Sequence, residues 1–189
     1  MSTYIPLGKS PSSPNERSEL LEKIVEAEYR LFSIGLSKVQ RSIVEFLVNQ
    51  KGYTAEDIEV NKEFKVDLPD APFHVRADIV LKANDRIFLI MKCAMNSLDS
   101  WERYSVAFCR VVESYQIPYA AVTDGETVRI LDVVKCSLVS DSFDAIPTKE
   151  DASKILESIT LFPCTEDRCI KEKRILHAFE AIRCAGAAD

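Results

Sequence analysis

Arg76–Ala94, RADIVLKANDRIFLIMKCA, is the stretch whose reading decides the fold. Phe73, Val75, Ala77, Ile79 and Leu81 alternate with more polar neighbours, the period of a strand with one buried face. Arg86 to Cys93 is a nearly continuous apolar run, as expected of a strand covered on both sides. Asn84-Asp85 between them is turn chemistry, so the pair reads as a β-hairpin. One charge interrupts each strand, Asp78 and Lys92. With a two-residue turn, facing residues sum to 169; Asp78 then opposes Met91, and only a bulge would bring it level with Lys92. With a three-residue turn, Asp78 opposes Lys92 directly. Opposed Cβ atoms in such a ladder lie about 4.5–5.5 Å apart. A satisfied ion pair is one reading of the two charges, because a half-buried acid needs a partner. A catalytic pair is the other.

Outward from the hairpin, SKVQRSIVEFLVNQKG (residues 37–52) reads as a helix. Ser37 and Gln40 form an S-x-x-Q capping box, Val39, Ile43, Phe46 and Leu47 an apolar face, and Gly52 a C-terminal stop. Before it, residues 15–33 place Leu20, Leu21, Ile24, Val25 and Leu31 at helical spacing behind a possible Asn15 cap. DIEVNKEFKVDL (57–68) reads as a strand. After the hairpin come a helix over about 99–115, the strand YAAVT (119–123), an Asp124-Gly125 turn and a strand through TVRILDVV. A helix capped by Thr148 with Asp151 follows, then a last one over about 166–184 that buries Ile175, Leu176, Phe179 and Ile182. Mixed strands with helices before, between and after imply an α/β fold, a central mixed β-sheet flanked by helices. The expected organisation is a flexible tail over 1–14, a domain over 15–160 and a C-terminal helix over 161–189.

The residues 37–135, and more loosely 20–160, resemble the N-terminal nuclease domain of type I restriction enzyme R subunits, a branch of the PD-(D/E)XK superfamily. The shared pattern is RADIVL, a short turn, IFLIMKCA, a helix, then IPYAAVTDGETVRILD. The resemblance implies a restriction-endonuclease-like core and Mg²⁺-dependent cleavage of DNA. It implies that Asp78 binds metal, that Lys92 assists the attack on phosphate and that Glu45 is the helical carboxylate, so that Asp78 and Glu45 are the expected metal ligands. The chain departs from the pattern where the family carries Glu-x-Lys: the triplet is Ile90-Met91-Lys92, and an isoleucine ligates no cation. The family's Gln-x-x-x-Tyr positions on the next helix are Ala107 and Val111. Glu59, Asp67 or Glu102 would have to supply a migrated carboxylate. The alternative is a decayed nuclease fold that binds nucleic acid or a protein. No GxxxxGK[ST] phosphate loop is present, so a free-standing relative without the motor is expected.

Charge and composition bound the partners. A hydrophobic share of 47% supplies a core, and a net charge of -6 argues against strong non-specific binding of nucleic acid or anionic membrane. DNA, and a restriction–modification or other protein partner, are the expected partners; a membrane is not. No apolar run spans a bilayer and MSTYIPLGKSPSSPNER lacks an apolar leader core, so a cytoplasmic protein is expected. Cys164, Cys169 and Cys184 cluster late in the chain at a spacing that suits neither zinc nor an iron–sulfur cluster, and read as structural thiols. Trp101, Arg103, Tyr104 and Arg110 on the middle helix read as packing residues, with phosphate contacts as the alternative. The charge mixture of the last helix, Lys171, Glu172, Lys173, Arg174, Glu180 and Arg183, reads as a solvated face.

Overall fold

A computed structural model describes residues 38–94 and 98–185, with side chains as far as Ala181. The tail expected over 1–14, the helix expected over 15–33 and the side chains of Ile182 and Cys184 lie outside that description. The described chain is an α/β layer structure. It begins with helix α1 (residues 38–51). Three strands follow, β1 (Ile58–Val66), β2 (Phe73–Ala83) and β3 (Arg86–Cys93). Helix α2 (Leu98–Val111) leads to β4 (Tyr119–Thr123), β5 (Val128–Asp132) and β6 (Ser137–Ser140). A 3₁₀ turn (Phe143–Ala145), α3 (Lys149–Ser158) and α4 (Glu166–Ala185) complete it. The strands form one six-stranded sheet in the order β1-β2-β3-β4-β5-β6. Only β3 and β4 run parallel, because α2 crosses over between them. No helix among the described residues is long and apolar enough to cross a membrane.

Each face of the sheet carries its own apolar cluster. Tyr104 and Phe108 of α2 and Leu176 of α4 pack on one face with Val75, Ala77, Val80 and Ile90. Ile43 and Leu47 of α1 and Ala152 and Leu156 of α3 pack on the other with Ile79, Leu81, Phe88 and Met91. This division corrects the expected alternation of β2. Phe73, Val75 and Ala77 belong to the α2 side, whereas Ile79 and Leu81 belong to the α1 side. The strand changes face at Asp78. Its partner changes face on the same rung: Phe64 packs on the α2 side and Ile58 on the α1 side. Val60 faces Ile79 and Lys62 faces Ala77, so Asn61 lies level with Asp78. Asn61 has φ 56°, a left-handed conformation that asparagine tolerates better than most residues.

The hairpin combines both registers considered from its sequence. Asn84 and Asp85 have φ 49° and 58°, the signature of a two-residue type I′ turn, and Ala83 faces Arg86. Between Lys82↔Ile87 and Leu81↔Leu89, Phe88 is the extra residue of a β-bulge. The bulge moves the register by one, so Ile79 faces Met91 and the next rung sets Asp78 opposite Lys92.

Capping chemistry bounds α1 and α3 where expected, whereas α2 stops at Val111, short of the expected 115. Gly52 closes α1 at φ 74°, and the Thr148 hydroxyl accepts from the Asp151 amide at 3.1 Å. At the β4–β5 turn, Asp124 Oδ1 accepts from the amides of Glu126 and Thr127. Gly125 there has φ 97°, and a Cβ on it would lie 3.2 Å from Val39 Cγ2 of α1. Gly125→Ala is therefore expected to destabilise the domain by more than about 1 kcal/mol, read from the urea unfolding midpoint. Two elements escaped the sequence pattern: β6, with Leu138 and Val139 both exposed, and the 3₁₀ turn after it.

Candidate functional site

Asp78 and Lys92 meet on the α2 side of the sheet. Lys92 Nζ lies 2.7 Å from Asp78 Oδ2, with side-chain exposures of 11% and 6%. The same oxygen accepts from the Cys93 amide at 2.8 Å, which fixes the carboxylate against the end of β3. Trp101 of α2 covers the ammonium, whose nitrogen is 5.3 Å from the ring centroid, a cation–π distance. From the opposite layer, Gln40 Nε2 of α1 donates to Asp78 O at 3.4 Å and to Asn61 Oδ1 at 3.0 Å. Gln40, read from sequence as a capping residue, thus ties α1 to the rung where both strands change face. Asn61 had no chemical signature in the sequence beyond polar identity, and Gln40 only that of a helix cap. Their role comes from the fold.

The remaining expected residues stand apart. Ile90 is two residues before Lys92 on the same strand face and is 3% exposed, packed among Val80, Tyr104 and Phe108. Glu45 is exposed on α1, about 140° around the helix from Gln40. No hydrogen bond or ion pair joins it to Asp78 or Lys92. The three carboxylates considered as migrants are engaged elsewhere. Glu59 pairs with Lys62 at 2.7 Å and with Lys82. Asp67 pairs with Lys65 at 3.0 Å, and Glu102 pairs with Arg129 of β5. Among the described residues, no three His, Cys, Asp or Glu side chains gather as a metal-holding group.

Cys93 adjoins the pair but is no nucleophile. Burial, then the Asp78 charge, push its thiol up to about 12, with Lys92 pulling the other way. Cys164, just before α4, and Cys169, in its first turn, are half-buried thiols.

Residues 37–147 match the family model of the type I restriction enzyme R protein N terminus. The chain belongs to that family. Comparison with the curated proteins and with the solved structures gives no match. The R-protein N-terminal match runs from the start of α1 to the segment before α3, so it holds Gln40, Asp78, Ile90 and Lys92 within one unit. The architecture is restriction-endonuclease-like: a helix, a three-stranded meander, a crossover helix and a parallel fourth strand. The family is a nuclease-like one, and α3 and α4 lie beyond the matched region.

A second charged centre lies between α2 and α4, where a solvated helix face was expected. Glu172 of α4 is 2% exposed and pairs with Arg110 of α2 at 2.7 Å, itself 2% exposed. Arg103 and Arg168 reach the same carboxylate. Arg110 also donates through Nε to Val133 O at 3.1 Å. Arg103, Arg110 and Tyr104 are thus packing residues, and Trp101 joins them against Phe179 of α4.

Proposed function

We propose that this domain uses the nuclease fold of the type I restriction R protein to engage DNA without cutting it at the Asp78–Lys92 position. Ile90 carries the reading. The family points to a divalent metal, and Mg²⁺ takes six oxygens in near-ideal octahedral array. The donors here do not fit that demand. Asp78 Oδ2 is already occupied by the Lys92 ammonium and the Cys93 amide. Ile90 puts a buried sec-butyl group where a carboxylate would stand, and Glu45 is exposed on α1, the helix packed on the other face of the sheet. No cleavage step is therefore derived through a metal. Lys92, neutralised by Asp78 and covered by Trp101, is likewise poorly placed to stabilise charge on a phosphate.

DNA remains the favoured partner because the family acts on it, and the net charge of -6 makes the contact weak and local. The test is a plasmid-nicking assay with Mg²⁺ or Mn²⁺, run beside fluorescence anisotropy with a labelled duplex over a salt series. The wild type is expected to leave supercoiled plasmid intact and to bind duplex with an affinity that falls steeply with salt. Metal-dependent nicking lost in both Asp78→Ala and Lys92→Ala would establish the cleaving enzyme instead. Absence of binding even at low salt would leave a protein partner. Nicking that appears only in Ile90→Glu, with the fold verified by circular dichroism, would show that the missing carboxylate is what silences the site.

A further inference from the structure

Cys164 and Cys169 have no part in the Asp78–Lys92 rung. The Cys169 amide donates to Thr165 O at 2.8 Å, the first helical hydrogen bond of α4. That bond makes Thr165 the N-cap, Cys164 the residue before it and Cys169 the fourth residue of the helix. Those two positions are the ones whose side chains meet in a hydrophobic staple, the contact that fixes the angle at which a chain enters its helix. Apolar side chains usually fill them; here both are thiols. The surroundings of Cys164 place it there independently. Its thiol feels Cys169, Glu172 and Arg168 of α4 and Arg110 of α2. Glu172 follows Cys169 by three residues and Arg168 by four, so the three share one face of the helix, and a group near all of them lies over that face. The segment leading in is held as well, because the Gln116 amide donates to Phe162 O at 3.0 Å. Both thiols are free and half-buried, so a small reagent reaches them.

We propose that Cys164 and Cys169 form a reversible disulfide that staples the entry of α4 covalently. The oxidant is a small-molecule disulfide such as oxidised glutathione. One cysteine thiolate attacks it, forming a mixed disulfide and releasing half of the reagent as a thiolate. The second cysteine thiolate attacks the mixed disulfide, closes the Cys164–Cys169 bond and releases the other half. Two electrons pass from the protein to the reagent, and the two protons lost by the cysteines end on the two released thiols. Cys164 lies outside the hydrogen-bond ladder of α4, so its backbone can turn to bring the sulfurs from contact to bonding distance. Burial, then Cys169 and Glu172, hold the Cys164 thiol above its ordinary range, with Arg168 and Arg110 pulling the other way. The exchange is therefore slow at neutral pH and faster in mild alkali. The bond closes over the first turn of α4, beside the Glu172 that ties this helix to Arg110 of α2. Oxidation fixes the start of α4, and reduction releases it. The site shares no residue with the rung, so binding of DNA, or its absence, bears on it in neither direction.

The full chain carrying Cys136→Ser and Cys184→Ser, equilibrated with reduced and oxidised glutathione, tests it. Trypsin cuts after Arg168, between the two cysteines. Peptides 155–168 and 169–171 are expected joined in one species lighter than their sum by two hydrogens, and separate after reduction. Cys164→Ser and Cys169→Ser, with folding checked by circular dichroism, should each accumulate a mixed glutathione disulfide at the cysteine that remains. Amide exchange over 166–172 should be roughly ten-fold slower in the oxidised protein than in the reduced one. Absence of the linked pair, or a mixed disulfide that persists with both cysteines present, overturns the site. A linked pair with unchanged exchange over 166–172 overturns its hold on α4.

Discussion

Lys92→Met is expected to destabilise the domain by about 3–5 kcal/mol, seen as a large fall in the urea midpoint at unchanged slope. Methionine fills much of the lysine's volume, so the loss is not one of packing. What is lost is the counter-charge of Asp78, whose side chain is 6% exposed and would keep only the Cys93 amide. A buried carboxylate with a single neutral donor is far less well compensated than one with an ammonium as well. The double variant Asp78→Leu, Lys92→Met is expected to recover most of the loss, because replacing both members of a buried pair with apolar groups is often close to neutral. A single-variant loss under about 1 kcal/mol would match an exposed pair and would mean that water reaches Asp78 freely. A large loss with recovery in the double variant identifies the pair as a support of the sheet, in line with a site that does not turn over.

Glu172→Ala is expected to cost a similar amount, about 3–5 kcal/mol, and to act at a different place. It strands the Arg110 guanidinium, 2% exposed, with only backbone carbonyls for company. It also removes the carboxylate that Arg103 and Arg168 share, and with it the ionic tie between α2 and α4, leaving the Tyr104 hydroxyl's hydrogen bond to Glu180 at 2.7 Å. Hydrogen exchange should therefore rise first over 166–181, before the sheet is affected. Uniform loss of protection across the domain would show instead that α4 and the sheet unfold as one unit. Glu172→Gln retains the shape and an acceptor and should cost less than Glu172→Ala.

The hairpin was legible because two independent signals agreed: period-two apolar patterning and the Asn84-Asp85 turn. The approach of Asp78 to Lys92 followed from counting across that turn. The bulge at Phe88 could only be stated as a requirement, since an apolar run carries no mark of which residue is extra. The change of face at Asp78 was hidden for a related reason. From Ala77 to Leu81 every residue of β2 is buried, Asp78 included, so no exposed residue betrays which side chain points where. Glu172 was read as part of a solvated face because it sits in a run of mixed charges, of which Lys171 and Arg174 are exposed. Only the position of Arg110 on another helix decides its burial. Gln40 likewise has a local reason to exist as a capping residue, which masked its tertiary contact with β2. Local rules recovered most of the elements, though not β6 or the 3₁₀ turn; contacts between layers, where one charged or amide group answers another, were not written in any short stretch.

Trp101 is the chain's single tryptophan. Its ring stands between the Lys92 ammonium at 5.3 Å and the Phe179 ring at 6.0 Å, centroid to centroid. The molecule therefore carries one indole, beside six weaker tyrosine emitters, in contact with both the charged rung of the sheet and the C-terminal helix. Its quantum yield responds to removal of the cation, and its emission maximum to undocking of α4. Both substitutions can thus be followed optically on unlabelled protein, with the two events separated by intensity and colour.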